Sequence, residues 1–374
     1  MSKRISKRIS QMTIAKELGY SQALVSMVLN GREKGISEAA YKRIWDFAIT
    51  NGYSPRGMNI ESVRGAGEST TIAYILRSPL KLATKSKYFN HIHQGLYDHL
   101  DSQGLKLVFL GSEVDIEIEQ IPNKAAQTNN LKGIAIMGEV QSEFLDAVRN
   151  LDLPVVCISA RATGKCHSVL SNEQESASKL VNHLHELGHR KFAWLGGNKF
   201  MGSQKDRFEG TVDALKLHKL DIEPQYIARL KGADRMEGFQ AAKQIVESSG
   251  NNLPTAWICL NSLMARGAMN YLFQNGIKIG SDVSIAAIDM TDVCTEEKPG
   301  ITSASAVPEN MGTEAGRILT TSINESAGSL MDVTLPTKLR ILESTGPVAS
   351  ELAGAKALTK LSKFGNNDKK LRTV

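Results

Sequence analysis

The chain has 374 residues, is 41% hydrophobic and carries a formal net charge of +6. That length exceeds one average domain, and no apolar run approaches the eighteen or so residues of a membrane span, which excludes an integral helical membrane protein. The basic, polar start MSKRISKRIS lacks the apolar stretch of a secretory signal, so the cytoplasm is the expected compartment. Charge is unevenly spread: Met1–Arg64 carries +6 and Ala353–Val374 carries +5, which leaves −5 for the chain between them. A basic head on an acidic body implies that one end meets a polyanion while the body does something else.

In chain order, Ser10 is a good N-cap for a short helix from Gln11 to Leu18, stopped by Gly19. Ser21 caps a second helix, Gln22 to Leu29, so only Gly19, Tyr20 and Ser21 separate the two, the tight turn of a helix-turn-helix. Ser37 caps a third helix, in which Tyr41, Ile44, Trp45 and Ala48 follow an i, i+3, i+4, i+7 stripe. The second helix is rich in small polar residues, which suits the major groove, where base edges present distinct donor and acceptor patterns. Gln22 could pair with adenine, Ser26 with a base or phosphate, and Met27 could touch a thymine methyl. A three-helix bundle that binds protein is the alternative.

Residues 58–69 form a candidate linker. From Thr71 onward, β-rich apolar runs (TIAYIL, LKLVFL, GIAIM, VVCIS, KFAWLGG, AWICL, VSIAAI) alternate with amphipathic helical stretches. These include Tyr88–Gln103, Glu173–Leu187, Ser203–His218, Met236–Ser248 and Leu263–Asn275. The alternation implies βαβ units and parallel sheets with helices on both faces. Nearly 280 residues of it suggest two lobes with a ligand crevice between their strand ends. The stretch after Gly346 lacks leucine heptads and reads as a basic, disordered tail. The four cysteines show no CxxC spacing and are expected to be reduced thiols. His183 and His185 lie two apart on a helix and point different ways, so no metal is expected. No catalytic constellation, phosphate loop or cofactor motif stands out, which argues against an enzyme.

The segment MTIAKELGYSQALVSMVLNG, followed by ISEAAYKRIWDFAITNGYSP, closely resembles the head of LacI-family regulators. In that family the motif places are a Val-Ala pair, an Ala-Gly-Val-Ser turn, a Thr-Val-Ser recognition helix, Asn and a Gly-Tyr-x-Pro exit. Here they hold Ile14-Ala15, Leu18-Gly19-Tyr20-Ser21, Leu24-Val25-Ser26, Asn30 and Gly52-Tyr53-Ser54-Pro55. The likeness continues to about Leu342 through Tyr88-Phe89 with Gly95, Leu187–Gly197, Arg207-Phe208-Glu209-Gly210, Asn261 with Met264-Ala265, and Asp282–Ile285 leading to Asp289.

The resemblance implies an all-α helix-turn-helix head (1–57), a hinge (58–69), a two-lobed α/β body of periplasmic-binding-protein type (70–345) and a tail (346–374). It implies base reading by Gln22, Ala23 and Met27, with Ser21, Ser26 and Asn30 beside them. It makes Val63 a minor-groove wedge and Arg64 a phosphate contact. In the body it places Tyr88, Phe89, Ser159, Arg207, Asn261 and Asp289 around a small effector, a sugar or another polar metabolite. An internal salt bridge is the competing reading of Arg207 and Asp289. The sequence departs from the family at Ser159, where an aspartate is common, and at Asn172-Glu173-Gln174-Glu175-Ser176, where relatives carry Asp-Asn-x-x-Gly. The expected protein is a homodimeric repressor on near-palindromic operator DNA, its affinity set by the effector and with no cofactor. A free solute-binding protein and a two-lobed cytoplasmic enzyme are the alternatives.

Overall fold

The computed structural model describes residues 10–29, 36–50, 70–77, 88–197, 202–324 and 329–348. The head contains α1 (Gln11–Leu18), α2 (Gln22–Leu29) and α3 (Glu38–Thr50), which pack on one another. Each start is held by a serine hydroxyl that accepts a backbone N–H of the first turn. Ser10 takes Thr13 at 3.1 Å, Ser21 takes Leu24 at 3.1 Å and Ser37 takes Ala40 at 3.3 Å. Ile14, Val25, Val28, Leu29, Ile44, Trp45 and Ala48 are buried and form the small core that the apolar stripes require.

The first of two compact units takes in Met1–Leu170 and Pro308–Thr334, and the second takes in Ser171–Val307 and Leu335–Val374. In the first, the sheet is ordered β2 (Lys106–Ser112), β1 (Thr71–Leu76), β3 (Leu131–Met137), β4 (Val155–Ile158), β5 (His167–Ser171) and β11 (Asp332–Leu335). Its helices are α4 (Tyr88–Ser102), α5 (Ile121–Gln127), α6 (Ser142–Arg149) and α12 (Pro308–Asn324). In the second, the order is β7 (Ile227–Leu230), β6 (Phe192–Gly197), β8 (Ala256–Cys259), β9 (Ser284–Ala287), β10 (Thr302–Ser305) and β12 (Lys338–Arg340). Its helices are α7 (Glu173–Glu186), α8 (Gly202–Leu217), α9 (Arg235–Ser249), α10 (Ser262–Gln274) and α11 (Asp292–Glu296).

Pairing from β2 to β5 and from β7 to β10 is parallel, and β12 runs antiparallel to β10. Each sheet therefore repeats one doubly wound order, which reverses direction at β1 in one unit and at β6 in the other. Side chains that handle ligands in such sheets stand beyond the carboxyl ends of the strands, near that reversal. The strands β1, β4, β8 and β9 inside the sheets are buried throughout, as parallel strands covered by helices must be.

Sequence patterning misses β5, β7, β10, β11 and β12, whose segments HSVLS, IARL, TSAS, DVTL and KLR carry no long apolar run. All four cysteines are buried free thiols, with the Cys157 and Cys166 sulfurs 3.5 Å apart in the first unit's core.

Candidate functional site

In the head, α2 is split by its own periodicity. Val25, Val28 and Leu29 are buried, whereas Ser21, Gln22, Ala23 and Met27 are exposed, Met27 to 37%, and Ser26 is half-buried. Gln22, Ala23 and Met27 on α2, with Ser21 just before it, leave a small exposed surface of mixed polar and apolar character. Asn30, Val63 and Arg64 lie outside the described residues.

In the first unit, Tyr88 and Phe89 open α4, and their rings meet edge to face at 5.4 Å. The Tyr88 hydroxyl is 2.8 Å from the Ser159 hydroxyl and 3.5 Å from the Met311 sulfur. Ser159 follows β4 directly and has φ of 61°, a left-handed conformation that is costly for a residue with a Cβ. Its backbone N–H donates to the Val169 carbonyl, which helps to hold the turn. Phe89 lies beside Gly138, the residue after β3. Tyr88, Phe89 and Ser159 thus gather at the carboxyl ends of β3 and β4.

In the second unit, Arg207 is buried and its forked edge is taken by Glu173, with Nε donating to Oε2 at 2.7 Å and Nη2 to Oε1 at 3.0 Å. Its Nη1 donates to the Leu260 carbonyl at 2.7 Å, just past β8. Asn261 caps α10: its Oδ1 accepts from the Met264 N–H at 2.9 Å, and its Nδ2 donates to the Ala233 carbonyl at 2.8 Å. Asp289, two residues past β9, is buried and accepts from the Ser262 N–H at 3.1 Å and the Ser262 hydroxyl at 3.0 Å. That hydroxyl is also 3.0 Å from Thr291.

Burial pushes the Asp289 carboxyl up from the usual carboxylate range, against the Ser262 hydrogen bonds and the Arg207 charge. Burial likewise pushes Glu173 up, against the same guanidinium, while Asp206 and Asp289 add to the rise. The arrangement is a hydrogen-bonding platform of one cation and two carboxylates, one of which also accepts from the Ser262 hydroxyl.

An internal salt bridge does involve Arg207, but its partner is Glu173 in the same unit. Sequence reading assigned no role to Glu173, Ser262 or Thr291. Glu173 lay within a noted departure from the family pattern, but only the fold places it against a residue 34 positions on. His183, His185 and the nearby His189 have separate partners. His183 bonds Thr345 at 2.9 Å, His185 stacks on His218, and His189 bonds Thr255 and Ser284, each at 2.9 Å. Among the described residues no group of His, Cys, Asp and Glu could hold a metal, and no helix is long and apolar enough to cross a membrane.

Residues 181–345 match the family model of the periplasmic binding protein-like domain. The HTH-type transcriptional repressor PurR of Aliivibrio fischeri is 23% identical over 320 residues, 83% of this chain and 91% of that protein. The "Probable HTH-type transcriptional repressor ExuR" of Bacillus subtilis is 28% identical over 281 residues, 74% of this chain and 80% of that one. Among solved structures, the transcriptional regulator CelR–cellobiose complex aligns with a TM-score of 0.65 at 21% identity, covering 90% of this chain and all of that one. A LacI-family regulator from Enterococcus faecium with bound ribose aligns with a TM-score of 0.64 at 19% identity, covering 75% of this chain and all of that one. With N-terminal helices that fit a helix-turn-helix head ahead of two doubly wound sheets, this chain has the fold of the LacI-family regulators and is similar over most of its length to HTH-type transcriptional repressors.

Proposed function

We propose that the protein is a sequence-specific repressor that binds near-palindromic operator DNA as a homodimer in the cytoplasm and releases or tightens it in response to a small polar effector. The observation that carries the DNA half is the split of α2, which buries Val25, Val28 and Leu29 and turns Gln22, Ala23 and Met27 outward. Gln22 has the amide to pair with adenine, and Ala23 and Met27 offer apolar contact to thymine methyls. Ser21, Ser26 and Asn30 stand by them for phosphate or base contacts. Val63 and Arg64 are assigned from sequence as a minor-groove wedge and a phosphate contact.

The effector half rests on the polar groups that both sheets carry at their strand ends. Asp289 keeps lone pairs for hydroxyl donors, and Asn261 has a second amide proton and a second lone pair. Arg207 orients the second unit's cluster, while Tyr88, Phe89 and Ser159 supply a ring face and hydroxyls in the first. The sugars held by the two solved relatives fit such a set of groups.

The test for DNA is selection from a randomised half-site library, followed by gel shifts over a salt series. Replacing Gln22, Ala23 and Met27 together should change the preferred bases, at about 1–3 kcal/mol per affected position. An unchanged preference would remove α2 as the reading helix. For the effector, operator affinity is measured with and without a panel of metabolites, wild type against Asp289→Ala. The variant should bind operator normally and lose the response. A response equal to wild type would take Asp289 out of the site.

A further inference from the structure

We infer that Glu173 is a specificity-determining residue: it fills the guanidinium fork of Arg207 and bars effectors that present a carboxylate or phosphate there, leaving uncharged polyhydroxylated ligands as the class accepted. This rests on the effector reading above and narrows it.

The local fold drives Glu173 into that position. Asn172 caps α7 through its Oδ1, which accepts from the Glu175 N–H at 3.0 Å, so Glu173 is the first helical residue. An acidic side chain there ordinarily faces water, where it complements the helix dipole. This one is buried, because α7 and α8 approach closely. A Cβ added at Gly210, three residues beyond Arg207, would sit 2.8 Å from the Gln174 Cα. The Glu173 carboxylate is therefore pressed onto Arg207 with both oxygens engaged, and the two side chains are 9% and 11% exposed.

Charge then decides what can bind. A guanidinium recognises carboxylate and phosphate best through two parallel N–H donors on one edge. Here the edge formed by Nε and Nη2 already holds an internal carboxylate at good distances. Glu173 already occupies Arg207, and Asp289, also buried at these strand ends, adds a second carboxyl group to the cluster with no second cation among the groups named here. An incoming anion would have to displace Glu173, strand it beside Asp289 in a buried setting, and meet that second carboxylate itself. A hydroxyl-bearing neutral ligand meets none of these obstacles. It donates to Asp289 and leaves the Arg207–Glu173 pair intact. The family pattern has an asparagine in place of Glu173, so this exclusion belongs to this sequence.

The test uses the full-length chain and inorganic phosphate, with binding read as the rise in melting temperature at constant ionic strength. Glu173→Gln should bind phosphate at least about tenfold more tightly than wild type, since the fork is no longer filled by a charge. That gain should vanish in Glu173→Gln/Arg207→Met, which keeps the basic head and tail and so controls for phosphate bound elsewhere. Glu173→Asp, which keeps the charge, should behave like wild type and serves if the glutamine variant does not fold. In a second arm, glucose is paired with glucuronate and galactose with galacturonate. Any binding by wild type should favour the neutral member, and Glu173→Gln should narrow or reverse the preference.

Wild type binding phosphate through Arg207 as tightly as Glu173→Gln, or a preference for the uronate, would overturn the inference. So would a glutamine variant that gains no anion affinity. If no metabolite alters operator affinity, the effector reading fails instead, while the phosphate arm still decides what Glu173 does to Arg207.

Discussion

Replacing Arg207 with methionine keeps most of the side-chain volume and removes the charge, which isolates what the guanidinium does for the fold. The variant strands the Glu173 carboxylate, 9% exposed, without its two charge-assisted hydrogen bonds at 2.7 and 3.0 Å, and leaves the Leu260 carbonyl without its donor at 2.7 Å. Breaking a buried pair from one side costs about 3–5 kcal/mol, and a buried carbonyl that loses its donor adds about 1 kcal/mol or more.

Glu173 has one escape, which is to take a proton. Burial already pushes its carboxyl up, and the variant removes the Arg207 charge and hydrogen bonds that pull it down. A carboxyl raised in the folded state above its unfolded value leaves stability intact below the unfolded value and erodes it as pH rises through the folded one. The loss relative to wild type should therefore grow with pH, by up to about 1.4 kcal/mol per unit between the two values. Urea unfolding at pH 5, 6 and 7 reads this directly, followed by the emission of Trp194 and Trp257, which are buried in the core of the second unit. Adding Glu173→Gln to Arg207→Met should recover most of the loss at pH 7. A loss below about 1 kcal/mol, or one equal at pH 5 and pH 7, would refute the claim that these groups form a buried, mutually dependent ion pair.

Two further outcomes follow from packing and from buried histidines. A Cβ at Gly238 on α9 would run into the Met264 backbone on α10, so Gly238→Ala should lower the melting temperature by an amount worth about 1–3 kcal/mol, exceeding the roughly 1 kcal/mol gain in helix propensity; a higher melting temperature would contradict that close approach. Burial holds His167, His183 and His189 below the ordinary histidine range, so the stability they give is present above about pH 6.5 and is lost as pH falls toward their lowered values. His189→Gln should flatten melting temperature against pH between about 7.5 and 5.5, and an unchanged slope would rule His189 out as a source.

Much of this protein is written in local chemistry. Ser10, Ser21 and Ser37 announce the three head helices because a cap needs only a hydroxyl and the N–H groups within three residues of it. The split face of α2 is legible for the same reason, since which side chains turn outward depends on a 3.6-residue period. The alternating apolar runs from Thr71 onward declare parallel sheets between helices, because a strand buried on both faces cannot avoid being apolar.

That rule fails at HSVLS and TSAS, whose serines, threonine and histidine are buried only because neighbouring strands and helices cover them. DVTL and KLR are strands only because β5 and β10 stand ready to pair with them. Nor does any local pattern send Pro308–Thr334 back to the first unit, a return set by packing between α12 and α4 across some 200 residues. The site divides in the same way. Arg207 and Asp289 can be picked out by motif, and Tyr88 and Ser159 by position. That Arg207 is held by Glu173, and that Ser262 braces Asp289, depends on which helix N-terminus the fold brings to which strand end. A charge pair made by residues far apart in the chain leaves no periodicity, spacing or composition behind, so only the tertiary structure decides it.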